Sequence, residues 1–398
     1  MKRNLFQKLV AFIDKKEFAI ITGTRQTGKS TLLKQVDEHC KKQNLPTLFI
    51  NLENKNILNS LNESPLHLLS YLPTTDTKVY VFIDEIQYLT DPSNFLKLLY
   101  DEHNQQVKIF ATGSSSFFMD KSFNDSLAGR KRIFQLYTCS FDEYLKLHDN
   151  EELLDDIKRI IKNKNAKSVH IDLLYNEFEE FLIYGGYPAI ITENNKSDKV
   201  ERLNELKNAY IKRDVMESGV KDETSFYNLF RILAAQSGNL VNINELSKTL
   251  HIKNDTVANY ISILQKCFHI ALVKPFYKNI RKEIIKMPKV FTLDTGLQNC
   301  LLNNYQPLAL RTNIGNFWET AYYKYLLENN NIDNVYFWRT TDGNEIDFIL
   351  PDNPLAIEVK YNKSAINEKK YKKFVTEYPD IPLKFKYFQP FSEDFFRD

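Results

Sequence analysis

The 398-residue sequence predicts a multidomain α/β protein. The length exceeds the roughly 100–200 residues of an ordinary single domain. Up to about Tyr144, short apolar runs alternate with helical patterns, as in a parallel sheet covered by helices. After a helical, charged stretch, strand-rich segments return over residues 298–398. The expected divisions are 1–150 for the first α/β domain, 151–220 for a helical linker or lid, 221–297 for a helix-plus-hairpin module, and 298–398 for a mixed α/β domain.

Composition narrows the function classes. Hydrophobic residues make up 43% and charged residues 26%, which suits globular units with sizeable cores. The balance of 53 Lys+Arg against 51 Asp+Glu excludes a wholesale polycation or acidic tail, so nucleic-acid affinity must come from local patches. Cys40, Cys139, Cys267 and Cys300 lie far apart with no CxxC pair, which argues against a zinc site or disulfide framework and for a reducing compartment. No apolar run approaches the ~18 residues of a membrane span, and charges interrupt the N-terminal helical pattern as no signal peptide would tolerate. A cytoplasmic location is expected.

In the first domain, strands are expected at Phe18–Thr22, Thr47–Leu52, Val79–Asp84, Lys108–Thr112 and Arg132–Tyr137. Their nearly unbroken apolar character suits strands buried on both faces. Gly23-Thr24-Arg25-Gln26-Thr27-Gly28-Lys29-Ser30 follows the first strand and fits GxxxxGK[ST]. The glycines let backbone N–H groups wrap phosphate oxygens, Lys29 reaches the β/γ phosphates, and Ser30 ligates Mg²⁺. The helix from Ser30 and Thr31 onward adds the positive end of its dipole. Val79–Asp84 ends in Asp84 and Glu85, expected to hold Mg²⁺ through water and to polarise the attacking water. Ser114, with Ser115, ends the next strand where a hydroxyl senses a γ-phosphate. Arg130 is a candidate arginine finger acting in cis or on a neighbouring subunit, with a plain surface arginine as the competing reading.

In residues 221–297, helices are expected at Phe226–Gln236, Asn242–Leu250 and Asp255–Phe268. Strands at Ile270–Tyr277 and Lys289–Leu293 follow, and together these describe a winged helix. Residues 251–290 carry seven lysines and one arginine against Asp255 and Glu283, a net of +6. Lys253, Lys266, Lys274, Lys278, Arg281, Lys282 and Lys286, with Tyr260 and Tyr277, form a candidate footprint on DNA phosphates of low sequence specificity. The competing reading is a packing module with a solvated basic face.

In the last domain, strands are expected at Val335–Arg339, Ile346–Leu350 and Leu355–Lys360, with Glu319 on a preceding helix. Glu358 and Lys360, two apart on a strand, share one face. Glu319, Asp347 and Glu358 are candidate ligands for Mg²⁺ or Mn²⁺, with Lys360 beside the attacking water. Glu345 is a spare ligand or a bystander, and a surface salt bridge is the competing reading of the whole set.

The order of these motifs resembles the bacterial and archaeal AAA-like ATPases that join an N-terminal P-loop NTPase domain to a C-terminal domain of uncharacterised function. Gly23–Ser30, Ile83–Gln87, Thr112–Ser115, Leu127–Arg130, Tyr184–Pro188, Gly315–Glu319, Glu345–Phe348 and Glu358–Lys360 carry the resemblance. It implies ATP and Mg²⁺, a winged helix, and a PD-(D/E)xK endonuclease-like fold whose acids map to Glu319, Asp347 and Glu358 and whose lysine maps to Lys360. Ile346 stands where the proline of that motif's name would be. Two functions remain in view. One is an ATP-hydrolysing DNA-binding protein with a metal-dependent nuclease. The other is an ATP-dependent switch, homo-oligomeric if Arg130 acts across subunits, whose nuclease-like fold is only a scaffold.

Overall fold

Apolar side chains on both faces of a strand force it to the middle of a sheet, and the first third of the chain follows that rule. In the computed structural model, which describes residues 1–113, 127–163, 165–277, 286–340 and 342–396, the chain divides into two units. One comprises residues 1–138 with 266–268, the other residues 139–265 and 269–398.

The first unit contains α1 (Leu5–Val10), β1 (Phe18–Thr22), α2 (Lys29–Lys42), β2 (Thr47–Asn51), α3 (Lys55–Glu63), β3 (Val79–Asp84), α4 (Pro92–His103), β4 (Val107–Thr112) and β5 (Lys131–Gln135). Its sheet runs β2-β3-β4-β1-β5, and every pairing is parallel. All residues of β1, β3 and β4 are buried. Alternate residues feed two cores: Phe18, Ile20, Val81, Ile83 and Ile109 join one, and Ala19, Ile21, Phe82 and Phe110 the other. The order sets β4 between β1 and β3, so Thr112 ends its strand between the Gly23–Ser30 loop and Asp84. Parallel strands bring all three to one sheet edge.

The second unit begins with α5 (Phe141–Leu147), α6 (Glu151–Lys162), α7 (Ile171–Tyr184), α8 (Pro188–Ile191) and α9 (Lys196–Ser218). Pro188 does not terminate α7; Gly185 does, and Pro188 opens α8, where its missing N–H costs nothing. Next come α10 (Glu223–Ala235), α11 (Ile243–Leu250), α12 (Asn254–Lys266), β6 (Ile270–Pro275) and β7 (Lys289–Thr292). The Asn242 side chain caps α11, and Ser247 Oγ donates to the Ile252 carbonyl at 2.6 Å to close the turn into α12. Val257, Ile261 and Leu264 of α12 are buried, as their helical spacing predicts.

After these come α13 (Thr295–Leu302), α14 (Ile314–Leu326), β8 (Tyr336–Arg339), β9 (Glu345–Leu350), β10 (Leu355–Asn362), α15 (Lys372–Glu377) and β11 (Leu383–Gln389). The β6–β7 hairpin and the C-terminal strands share one six-stranded sheet in the order β11-β10-β9-β8-β6-β7. The join is the parallel pairing of Lys274 with Tyr336 and of Pro275 with Phe337. None of the described helices is long and apolar enough to cross a membrane.

Candidate functional site

The loop after β1 is shaped by its glycines. Gly23 has φ 144°, and a Cβ there would lie 2.0 Å from the Leu136 carbonyl oxygen. Gly28, at φ 91°, is the left-handed residue that turns the loop into α2. Thr27 Oγ1 donates to the Thr24 carbonyl at 2.8 Å. Arg3 ties the loop down by donating to the Thr27 carbonyl at 2.6 Å and the Tyr137 carbonyl at 2.9 Å. Lys29 is buried, with Nζ donating to the carbonyls of Gly23 (3.0 Å) and Thr24 (2.8 Å). Burial first, and then Arg25, push its ammonium down to about 8 against the opposing pull of Glu85 and Asp84. Gln26 and Thr31 are exposed at the rim, and Arg25 is half-buried.

Ser30 Oγ donates to Asp84 Oδ1 at 2.9 Å, and Thr112 Oγ1 donates to the same oxygen. A hydroxyl and a carboxylate this close form a hard-oxygen pair that suits Mg²⁺, so Ser30 and Asp84 fit the ion expected of them. Glu85 sits in the left-handed region at φ 60°, ψ 48°, a conformation uncommon for a residue with a Cβ. Its amide donates to Thr112 Oγ1 at 3.1 Å, and its carboxylate accepts from Gln87 Nε2. Thr112 therefore organises both acids, a role the sequence does not show. Ser114 and Ser115 lie outside the described residues.

Arg130 is elsewhere. Its carbonyl accepts from the Phe18 amide at 2.9 Å, at the start of β1, while the phosphate loop leaves the end of that strand. Four strand residues separate the two ends by about 13 Å. The side chain makes a forked pair with Asp101, Nε to Oδ1 at 2.6 Å and Nη2 to Oδ2 at 3.1 Å. The expected finger in cis is corrected accordingly: Arg130 is at the opposite sheet edge from Lys29.

A second cluster lies in the other unit. The β9–β10 register, Leu355↔Leu350 to Ile357↔Phe348, brings Asp347 alongside Glu358. Lys360 Nζ bonds Glu358 Oε1 and is 3.8 Å from Asp347 Oδ2. Tyr371 donates to Glu358 Oε1 at 2.5 Å, and the Val359 amide to Asp347 Oδ2 at 2.8 Å. Lys289 at the start of β7 carries no such expectation from the sequence. Its Nζ lies 2.5 Å from Glu345 Oε1, 3.3 Å from Glu319 Oε2 and 3.7 Å from Asp347 Oδ1. Glu345 is thus no bystander, and it also accepts from Arg339 at 2.9 Å.

Burial, then the Asp347 charge, push Glu319 up to about 8 and Glu358 up to about 7. Burial opposes the charge of Lys289, and Glu319, Asp347 and Glu345 more than offset it, so its ammonium is held above the usual lysine value. The donor atoms are of the kind Mg²⁺ prefers, but no three acid, histidine or cysteine groups among the described residues are set to hold one ion. The expected metal arrangement of Glu319, Asp347 and Glu358 is therefore corrected. The acids converge, but on lysine ammoniums.

In the basic segment, Lys253, Lys274 and Lys286 are exposed and Lys266 half-buried, while Lys278, Arg281 and Lys282 lie outside the described residues. Tyr260 is not a surface residue. It is 4% exposed and packs edge-on against Phe226 with centroids 5.3 Å apart. Tyr277 donates to the Arg339 carbonyl at 3.1 Å.

Residues 15–145 match the family model described as AAA domain. This stretch is similar to an AAA domain, and the all-parallel sheet with its glycine loop after β1 suits a P-loop fold. Residues 175–307 and 314–394 match two models described as domains of unknown function, DUF8612 and DUF4143. An uncharacterised protein of Haemophilus influenzae is 26% identical over 308 residues, covering 75% of this chain and 72% of its own. An uncharacterised protein of Methanocaldococcus jannaschii is 25% identical over 374 residues, covering 92% of this chain and 79% of its own. Among solved structures, Thermotoga maritima RuvB matches at 15% identity and a TM-score of 0.32, over 70% of this chain and 93% of its own. Aeropyrum pernix ORC1 in complex with DNA matches at 11% identity and a TM-score of 0.28, over 76% and 93%. Neither score carries an argument about this chain.

Proposed function

We propose that the protein is an ATP-hydrolysing switch that engages DNA. The observation carrying this reading is the convergence of Lys29, Ser30, Asp84 and Glu85 at one edge of the first unit's parallel sheet. On ATP binding, Lys29 exchanges its two carbonyl partners for β/γ-phosphate oxygens, and the loop amides wrap the phosphates. Ser30 and Asp84 would hold Mg²⁺, which would neutralise charge developing on the phosphates. Glu85, aimed by its backbone and by Thr112, orients and polarises the attacking water. Arg130 is either a surface arginine held by Asp101 or a finger acting across subunits of a homo-oligomer. Steady-state phosphate release with Mg²⁺ and ATP tests the reading; it fails if Lys29→Ala and Asp84→Asn release phosphate at the wild-type rate.

DNA engagement rests on the exposed Lys253, Lys274 and Lys286 of the helix–turn–helix and hairpin arrangement of α10–α12, β6 and β7, which we read as a winged helix. Removing one lysine–phosphate pairing should lower the slope of log affinity against log salt by about 0.9. Lys274→Glu with Lys286→Glu should therefore flatten the salt dependence by about two units and weaken binding to unrelated duplexes equally. An unchanged slope removes these residues from the footprint.

A second reading, cleavage of phosphodiesters at the C-terminal cluster, is favoured by the approach of Lys360 to both Glu358 and Asp347. Plasmid, linear and single-stranded DNA with Mg²⁺ or Mn²⁺ test it. Equal background from wild type and Lys360→Ala refutes it and leaves the endonuclease-like fold as a scaffold.

A further inference from the structure

Four carboxylates converge here, Asp347 and Glu358 buried and Glu319 and Glu345 half-buried, and beside Lys360 a second cation comes from an unexpected strand. Lys289 is 2% exposed, and its backbone is fixed by pairing with Val273 across the hairpin and by a bridge to Leu240. Its Nζ is within 3.7 Å of oxygens from Glu319, Glu345 and Asp347, residues of α14 and β9. The other Asp347 oxygen is taken by the Val359 amide. Glu358 Oε1 is taken by Lys360 and Tyr371, while Glu358 Oε2 is buried with no hydrogen-bond partner among the described residues. Of the four carboxylates' oxygens, Glu358 Oε2 is the one that is buried without a partner among the described residues.

We propose that Lys289 is a resident cation of this cluster, standing where a divalent ion shared by Glu319 and Asp347 would have to sit. The folded centre therefore excludes Mg²⁺ and Mn²⁺ until the Lys289 ammonium is withdrawn. An ammonium and a divalent ion compete for the same oxygens of Glu319 and Asp347, and at such separations their mutual repulsion weakens the binding of the second. The ligand class is a hard divalent cation, and its release from competition is controlled by one side chain of the β6–β7 hairpin. This inference borrows from the nuclease reading only the choice of acids, and metal binding is measured apart from cleavage.

The test uses the full-length, nucleotide-free protein stripped with EDTA, with free Mn²⁺ counted by electron paramagnetic resonance. Wild type should show no binding that depends on Asp347 in the micromolar range. Lys289→Met should gain one Mn²⁺ per chain, at least tenfold tighter than any wild-type site, and lose it again in Lys289→Met/Asp347→Asn. Mg²⁺ should raise the melting temperature of Lys289→Met and leave wild type unmoved, because a ligand that binds only the native state stabilises it. If wild type binds Mn²⁺ through Asp347 as tightly as Lys289→Met, or a folded Lys289→Met binds none, the proposal is overturned. Should Lys289→Met not fold, Lys289→Gln and the lysine Nζ resonance of the wild type decide. A Lys289 signal that shifts with millimolar Mg²⁺ overturns the proposal, and an unmoved one supports it. DNA cleavage assayed on the same variants reports on the nuclease reading independently.

Discussion

Raising the pH should loosen ATP binding, and the size of the effect follows from Lys29. Without nucleotide its ammonium is buried against two carbonyl oxygens, and burial above all pushes it down to about 8 from an ordinary 10.5. Phosphate oxygens placed on Nζ restore the charged form to its ordinary range or above. Below pH 8 the lysine is charged with or without ATP, so affinity is flat there. Above it the free protein releases a proton that the complex retains, and affinity drops up to tenfold per pH unit. At about pH 9.5 the loss reaches roughly 30-fold, or about 2 kcal/mol, with close to one proton taken up per ATP bound. Fluorescent-nucleotide titration and calorimetry in two buffers of different ionisation enthalpy measure both quantities. Lys29→Arg stays charged throughout and should bind with a flat profile. Equal affinity at pH 7.5 and 9.5 in the wild type, or the same slope in Lys29→Arg, would refute the assignment of Lys29.

Other outcomes follow from particular residues. Gly23→Ala puts a Cβ 2.0 Å from a backbone oxygen at a left-handed φ, so it should abolish nucleotide binding and lower the melting temperature, whereas a variant that binds normally would show that the loop yields. Glu319 and Glu358, raised to about 8 and 7, keep protons in the folded state that the unfolded chain gives up above 4.5. Their contribution is therefore full below about pH 4.5 and is lost as pH rises through 7 to 8. Urea unfolding should show the second unit weakening over that window, less so in Asp347→Asn, which removes a repelling charge; a wild-type stability that rises instead would contradict it. Lys289→Met removes the ammonium that faces Glu319 and should cost about 3–5 kcal/mol by the same measurement, while a loss below about 1 kcal/mol would mean that Lys360 and Arg339 suffice for the cluster.

Much of the first unit is legible because its physics is local. An apolar run such as Val79–Ile83 can only be a doubly buried strand, and a GxxxxGK[ST] turn between strand and helix has one geometry. The strand β11, with the sequence Leu383-Lys384-Phe385-Lys386-Tyr387-Phe388-Gln389, escapes notice because lysines interrupt it; it lies at the sheet's edge, where they reach solvent. Tyr260 sits three residues after Val257 on the apolar stripe of α12, so periodicity itself marks it as core rather than DNA-facing. Arg3, Thr112 and Lys289 carry no local signal, since each works through partners 24 or more residues away in the chain. The placement of Arg130 requires knowing that β5 runs parallel to β1, which strand order decides and residue type does not.

Single-turnover hydrolysis of ATP by Glu85→Gln, with affinity measured on the same samples, tests the nucleotide site most directly. We expect ATP to bind within about threefold of wild type and hydrolysis to slow by a factor on the order of 10² or more, as for loss of a water-orienting carboxylate. Hydrolysis at the wild-type rate would contradict the role of Glu85, and wild-type protein that neither binds nor hydrolyses ATP would contradict the site itself.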